Sequence, residues 1–182
     1  RRRRDEPDGL VGYPSLLDDW RLPNPAVLGP ALFDHPAQAP NLMERPNFQT
    51  YLVTCDWMHD IFAPVYGPER LGMWFAGIDL DQWPDTRANT KDVDVLVYDK
   101  VRWHRDERSA DLIGPVMAAI DRRGLSSEVI RYGDYTYAQY RRALARSRMM
   151  VFLCEHETQG MAYQEALASN LPVLAWDQET QL

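Results

Sequence analysis

Residues 149–176 read MMVFLCEHETQGMAYQEALASNLPVLAW, and this stretch decides the fold of the chain. The apolar run at 149–153 predicts a buried strand, and the run at 172–176 predicts a second one. Between them, residues 160–168 have the composition of a helix that Asn170 brings to an end. A strand, a helix and another strand in this order form a βαβ unit, whose two strands are parallel.

The residues upstream repeat this alternation. The predicted elements are strands at 93–98 and 128–131 and helices at 109–124 and 136–146. Ser109 is placed to cap the first of these helices, and Gly114-Pro115 within it predicts a distorted turn, because proline donates no hydrogen bond. We therefore predict an α/β fold, a Rossmann-like parallel sheet with flanking helices, for residues 92–182.

The N-terminal part of the chain has a different pattern. Eight of the 13 prolines precede residue 47, which predicts loops and short elements there. A buried strand at 50–54, a helix at 56–66 capped by Asp56 and a short strand at 71–75 follow. We assign 1–78 to a partial N-terminal α/β domain and the polar stretch 79–91 to a linker.

Charge and composition exclude several classes of protein. A net charge of −7 and a pI near 5.1 argue against a nucleic-acid-binding protein. The longest apolar run, 149–154, is far shorter than the ~20 residues of a membrane-spanning helix. Two distant cysteines, Cys55 and Cys154, make neither a disulfide framework nor a metal site, so a cytoplasmic location is expected, with peripheral attachment to a membrane left open.

The residues that follow strand 149–153 are candidates for a binding site, because open parallel sheets bind ligands beyond the carboxyl ends of their strands. Gly160 opens the next helix, and the free backbone N–H groups around Gln159 to Ala162, including that of Met161, can hold a phosphate or a sugar oxygen. Glu157 and Glu165 are suited to the vicinal hydroxyl groups of a ribose or a hexose. Helical spacing would separate these two acids by at most ~12 Å. His156 is a further candidate for a hydrogen bond to a sugar hydroxyl.

The stretch ETQGMAYQEALA at 157–168, followed by NLPVLA at 170–175, resembles the signature of retaining glycosyltransferases of the GT-B fold, glycosyltransferase group 1. WFAGIDLDQW at 74–83 is similar to the segment that joins the two domains of that family. The resemblance covers roughly 48–176. It implies transfer of a sugar from a nucleotide-diphosphate sugar, without a metal or another cofactor, to an acceptor that is not identified. It also implies that Glu157 acts on the donor sugar as the catalytic residue and that Glu165 binds the ribose.

The chain also departs from that family. In place of its Gly-Arg and Lys-Gly pairs the chain has Lys100, Arg102 and Arg105, which either hold the diphosphate or form a charged surface loop. A two-domain enzyme of this kind needs roughly twice this length, so we expect an inactive fragment. The four leading arginines and the end at Leu182 agree with that expectation.

Two alternatives remain open at this stage. One is a non-catalytic α/β nucleotide-binding or receiver-like module, in which Asp99 at a strand end would accept a phosphoryl group, with Asp134 loosely placed beside it. The other concerns Tyr137 and Tyr140, which with Leu144 fit a buried helix face but could also stack on a nucleobase.

Overall fold

The computed structural model describes residues 8–10, 14–17, 23–30 and 32–176. The four leading arginines and residues 177–182 lie outside the described residues. The chain divides into two compact units, Arg1–Ala76 and Gly77–Leu182. Each unit is built on its own parallel sheet.

The first unit contains a sheet of four parallel strands in the order β1-β2-β3-β4. The strands are β1 (Asp8–Leu10), β2 (Ala26–Leu28), β3 (Phe48–Val53) and β4 (Leu71–Met73). The proline-rich region therefore has the predicted short elements, but two of them, β1 and β2, are strands of this sheet, with β1 paired to β2 and β2 paired to β3, which its sequence does not indicate. Helix α1 (Asp56–Tyr66) packs its Phe62 ring on that of Tyr51 at a centroid distance of 5.1 Å.

Helix α1 confirms the predicted range 56–66, but its cap is Cys55. Asp56 is the first helical residue, where its negative charge lies close to the positive end of the helix dipole. Strand β4 is shorter than predicted, because pairing with β3 ends at Met73 and the side chains of Trp74 and Phe75 are exposed.

The second unit confirms the predicted α/β fold. Its sheet of four parallel strands has the order β6-β5-β7-β8 with helices on its faces, which is a Rossmann-like arrangement. The strands are β5 (Val93–Asp99), β6 (Ser127–Arg131), β7 (Ser147–Leu153) and β8 (Val173–Ala175). Strand β5 lies between β6 and β7 and is buried on both faces, with Leu96 and Tyr98 in one apolar cluster and Val95 and Val97 in another.

The helical run between β5 and β6 begins earlier than predicted. It consists of α2 (Arg105–Arg108), a π-helical turn (Ser109–Ile113) and α3 (Gly114–Asp121). Ser109 thus lies inside the run and caps nothing. The predicted distortion at Gly114-Pro115 is confirmed as the π turn, in which the Gly114 N–H reaches back five residues to the Ser109 carbonyl. No helix in the described ranges is long and apolar enough to span a bilayer.

The segment predicted as a linker, 79–91, falls within the second unit and is hydrogen-bonded to other parts of that unit. The N–H and hydroxyl of Thr86 donate to the Ser169 carbonyl at 3.0 and 2.9 Å, just after helix α5 (Met161–Ala168). Lys91 Nζ donates to Thr86 Oγ1 and to the Ala145 carbonyl, both at 3.1 Å, in the last turn of α4 (Tyr137–Arg146). A cation at the end of a helix satisfies carbonyls that have no partner within the helix.

Substitution of this cation is expected to destabilise the second unit. Lys91→Met removes the donor and leaves helix-end carbonyls unpaired, so the free energy of unfolding should fall by about 1–2 kcal/mol. Arg87→Met is the matched control, because Arg87 pairs with Asp85 at 2.6 Å with side chains 72% and 42% exposed, and such pairs contribute about 0–1 kcal/mol. Urea unfolding measures both variants. Equal stability of the two would contradict the assigned role of Lys91.

Candidate functional site

The carboxyl ends of β5, β6 and β7 meet at one edge of the second sheet, because the three strands are parallel and in register. Asp99 pairs with Arg131 on one side and with Leu153 on the other. The residues that follow these ends are therefore neighbours in space. They include Lys100 after β5, Tyr132 after β6 and the 154–160 segment after β7.

The loop after β5 is anchored at its base by Asp99 and Arg105. Asp99 is 3% exposed, and its two oxygens accept hydrogen bonds from Arg105 Nη1 and Nη2 at 2.9 and 2.5 Å. Burial raises the pKa of Asp99, but the hydrogen bonds from Arg105 and from the Val101 N–H outweigh it, so its pKa lies below the ordinary value. Arg105 Nη1 also donates to the Val101 carbonyl. Its guanidinium thus holds the loop, and a diphosphate contact by Arg105 stays a prediction.

A second anchor, which the sequence analysis missed, is Glu155. This side chain is 9% exposed and accepts the backbone N–H groups of Arg102 at 3.2 Å and Trp103 at 3.1 Å. It therefore ties the loop after β5 to the loop after β7. The available signal was its position two residues beyond the apolar run of β7, where a charged side chain lies at the sheet edge rather than in the core.

Lys100 and Glu157 are brought together as an ion pair. Lys100 Nζ lies 2.5 Å from Glu157 Oε2, and the two side chains are only 14% and 20% exposed. The same ammonium group lies 4.8 Å from the centre of the Tyr132 ring, a cation–π contact. The three strand ends β5, β6 and β7 therefore converge on one cation.

Arg102 and His156 both contact the ring of Trp103. The Arg102 guanidinium is 4.4 Å from the centre of the Trp103 ring, and the His156 ring is 5.9 Å from it. Arg102 and Trp103 are both exposed. Of the three basic residues predicted to hold a diphosphate, Lys100 and Arg105 form ion pairs with carboxylates. The Arg102 guanidinium instead contacts the exposed Trp103 ring.

Gly160 lets α5 begin with a sharp turn. Its φ is +64°, and a Cβ at this position would overlap the Tyr163 ring. The carbonyl of Gln159 accepts a hydrogen bond from the Gln164 side chain, which closes the turn. Gly160 forms no side-chain cap, so the first N–H groups of the helix, beginning at Met161, depend on other partners.

Glu165 is a buried carboxylate without a hydrogen-bonding partner among the described residues. It is 6% exposed, and burial raises its pKa to about 7 from an ordinary 4.5. A buried carboxylate without a partner is unfavourable, because it loses water and gains nothing in exchange. Perturbed groups of this kind are concentrated at functional sites.

Glu165 lines a cavity of about 400 Å³ within the second unit. The remaining lining residues come from the 77–83 segment, α4 and α5, and they are Gly77, Ile78, Asp79, Gln82, Trp83, Tyr137, Arg141 and Met161. Its size is within the range of small-molecule sites. Glu157 is not among the residues that line this cavity, so the two predicted acids have different surroundings.

The tyrosines divide between core and cavity. Tyr140 and Leu144 are buried, as predicted for one helix face, and the Tyr140 hydroxyl donates to the Ala162 carbonyl at 2.5 Å. The inclusion of Tyr137 in that buried face was wrong, since it is 66% exposed and lines the Glu165 cavity. Tyr137 is the first residue of α4, where the ring extends past the end of the core.

The comparisons with known proteins add no relative. No protein-family model matches the chain, and none of the curated proteins compared with it matches either. The resemblance to glycosyltransferase group 1 therefore rests on the residues of this chain alone.

The burial of Glu165 predicts a stability that depends on pH. Its pKa is higher in the folded chain than in the unfolded chain. The free-energy cost of burying its charge is therefore fully present above about pH 7 and disappears as the pH falls toward 4.5. Glu165→Gln should therefore be more stable than the wild type by roughly 1–3 kcal/mol at pH 8. By pH 5 most of this difference should be lost.

Urea unfolding at the two pH values measures the effect. Glu107→Gln is the control, because it removes the same charge from a side chain that is 77% exposed. A difference between Glu165→Gln and the wild type that is the same at both pH values would contradict the assigned environment of Glu165.

Proposed function

We propose that this chain binds a nucleotide-diphosphate sugar at the carboxyl edge of its second sheet and supplies the donor site of a retaining glycosyltransferase. The observation that carries the proposal is Glu165, an unpartnered carboxylate, 6% exposed, that lines a cavity beside the start of a helix. A ligand that donates hydrogen bonds to this group removes the cost of its burial. That gain is specific to ligands with suitably placed hydroxyl groups.

A vicinal diol fits Glu165 better than an anion does. A carboxylate has two oxygens that accept hydrogen bonds in parallel, and the two neighbouring hydroxyl groups of a ribose can donate both. A phosphate at the same place would be repelled. The proposal therefore places the ribose, rather than the diphosphate, at Glu165.

The diphosphate is proposed to lie between the start of α5 and the loop after β5. The N–H groups that follow Gly160 and the guanidinium of Arg102 are suited to anionic oxygens. Lys100 joins them by exchanging Glu157 for phosphate, which frees Glu157 to accept a hydroxyl group of the donor sugar. As the sugar–phosphate bond breaks, these cations and N–H groups stabilise the charge that grows on the leaving diphosphate.

One line of support comes from the surroundings of the site. Glu155 and Asp99 fix the loop that carries Lys100 and Arg102, so its backbone is already in place before a ligand binds. Both cysteines are free thiols, which is usual in a reducing compartment, and we keep a cytoplasmic location with the proposal. The acceptor is left as a glycan, a lipid or a small molecule.

The geometry of Asp99 does not support the receiver-like alternative. Both of its oxygens accept hydrogen bonds from Arg105, and the described residues contain no group of three or more His, Cys, Asp or Glu arranged for a metal ion. A non-catalytic nucleotide-binding module would share the proposed nucleotide contacts. It differs from a transferase in its turnover of the donor.

The central prediction concerns nucleotide affinity and turnover. Calorimetry of the chain with GDP, UDP and ADP in the presence of EDTA should show binding of at least one nucleotide. Glu165→Ala should weaken that binding by about 10- to 100-fold, the loss of hydrogen bonds to a charged group. Glu107→Ala, at an exposed acid, should leave the affinity unchanged.

Glu157→Ala should lower the release of sugar from the matching nucleotide sugar more than it lowers the affinity. This turnover is measured in a chain that carries both domains of such an enzyme. Failure of the wild type to bind any nucleotide at millimolar concentration would overturn the proposal. Binding without any turnover in the two-domain protein would favour the non-catalytic module.

A further inference from the structure

The Glu165 cavity has three walls, and two of them present side chains in pairs. Tyr137 and Arg141 are four residues apart on α4, and Met161 and Glu165 are four apart on α5, so each pair lies on one helix face. The 77–83 segment forms the third wall. The cavity therefore combines apolar surface with charged groups of both signs.

The apolar part of the cavity is suited to a flat ring. The Tyr137 ring is 66% exposed, and its centre lies 6.2 Å from that of Trp83, at an angle of 49° between the ring planes. Trp83 is 6% exposed and held in the core by Tyr140, 5.8 Å away in an edge-on contact. A ligand that stacks on Tyr137 would cover its exposed face while Trp83 supplies a fixed wall.

The polar part of the cavity contains donors and acceptors in separate places. In the described ranges no carboxylate lies within ion-pair distance of Arg141, so its five N–H donors are available. Asp79 accepts the Asp81 N–H at 3.1 Å and the Gln82 side-chain amide at 2.8 Å, which leaves acceptor capacity on Asp79 and on the Gln82 carbonyl oxygen.

We propose that this cavity selects guanine as the base of the bound nucleotide, with Arg141 as the residue that determines specificity. The inference rests on the proposed function, which places the ribose of that nucleotide at Glu165. Guanine stacks on Tyr137, its O6 and N7 accept the paired donors of Arg141, and its N1–H and amino group donate to Asp79 or Gln82. Arginine binding O6 and N7 of guanine in this bidentate way is a common specific contact.

The other bases match this pattern less well. Adenine presents its N6 amino group where guanine has O6, so a donor would face the donors of Arg141. Uracil offers carbonyl oxygens to Arg141 but lacks the N7 acceptor and the larger stacking surface of a purine. The expected order of affinity is therefore GDP, then UDP, then ADP.

Calorimetric titration of the 182-residue chain with GDP, UDP and ADP tests the inference. The wild type should bind GDP at least about 10-fold more tightly than ADP, the discrimination expected of a good bidentate contact. Arg141→Met should bring this ratio close to one. Arg142→Met is the matched control, because Arg142 follows on the same helix but does not line the cavity. It should leave the ratio as it is in the wild type.

The outcomes separate this inference from the proposed function. If nucleotides bind in a way that depends on Glu165 but with equal affinities, or if ADP binds best, the guanine assignment is overturned and the donor site stands. An unchanged GDP-to-ADP ratio in folded Arg141→Met also overturns it. If no nucleotide binds, the proposed function fails as well. The ratio of GDP affinity to ADP affinity in the wild type tests the inference without any variant. The test therefore holds even if a substitution prevents folding.

Discussion

The parallel pairing of β5 with β7 is the constraint on which the candidate site depends. It runs from Val93 with Ser147 to Asp99 with Leu153, without a shift in register. Both strands therefore end at the same level, and the residues after them, Lys100 and the 154–157 segment, lie side by side. A slip of one residue would exchange Leu96 and Tyr98 with Val95 and Val97 between the two apolar clusters, whose shapes they would not fit.

Three glutamates near this edge differ in their roles because their side chains have different contacts. Glu155 is stabilised by backbone N–H groups and acts as an anchor. Glu157 is neutralised by Lys100, an interaction that a phosphate can exchange. Glu165 has no partner in the described residues and is buried, so it is the acid with the most to gain from a ligand. In this account Glu155 positions the loop, while Glu157 and Glu165 bind the donor.

The elements with strong apolar periodicity could be predicted from the sequence, and those set by tertiary contacts could not. Strands β5 and β7 contain the apolar runs 95–98 and 149–153, so their positions follow from local composition. Strands β1 and β2 have three residues each, and they are strands because β2 pairs with β3 and β1 pairs with β2, which no local pattern reveals. The helical run likewise begins at Arg105, whose guanidinium pairs with Asp99 in a contact that no local pattern predicts.

The same distinction between local sequence patterns and tertiary contacts applies to the candidate site. The spacing of Glu157, Gly160 and Glu165 marked the region, because acids and a glycine at the start of a helix form a local pattern. The pairing of Lys100 with Glu157, the anchoring by Glu155 and the cavity that includes Tyr137 and Arg141 involve residues from separate elements. Only the folded arrangement brings them together, so the sequence marked the region of the candidate site without indicating which partner each side chain has.

The most direct test of the central claim is the pKa of the Glu165 carboxyl group, measured by carbon-13 NMR of glutamate-labelled protein with and without GDP. The carboxyl signal that is lost in Glu165→Gln is the signal of Glu165. The account predicts a pKa of about 7 in the free chain and a clear decrease when the nucleotide binds, because hydroxyl groups that donate to the carboxylate stabilise its charged form. A pKa near the ordinary 4.5 that does not respond to nucleotide would contradict the account.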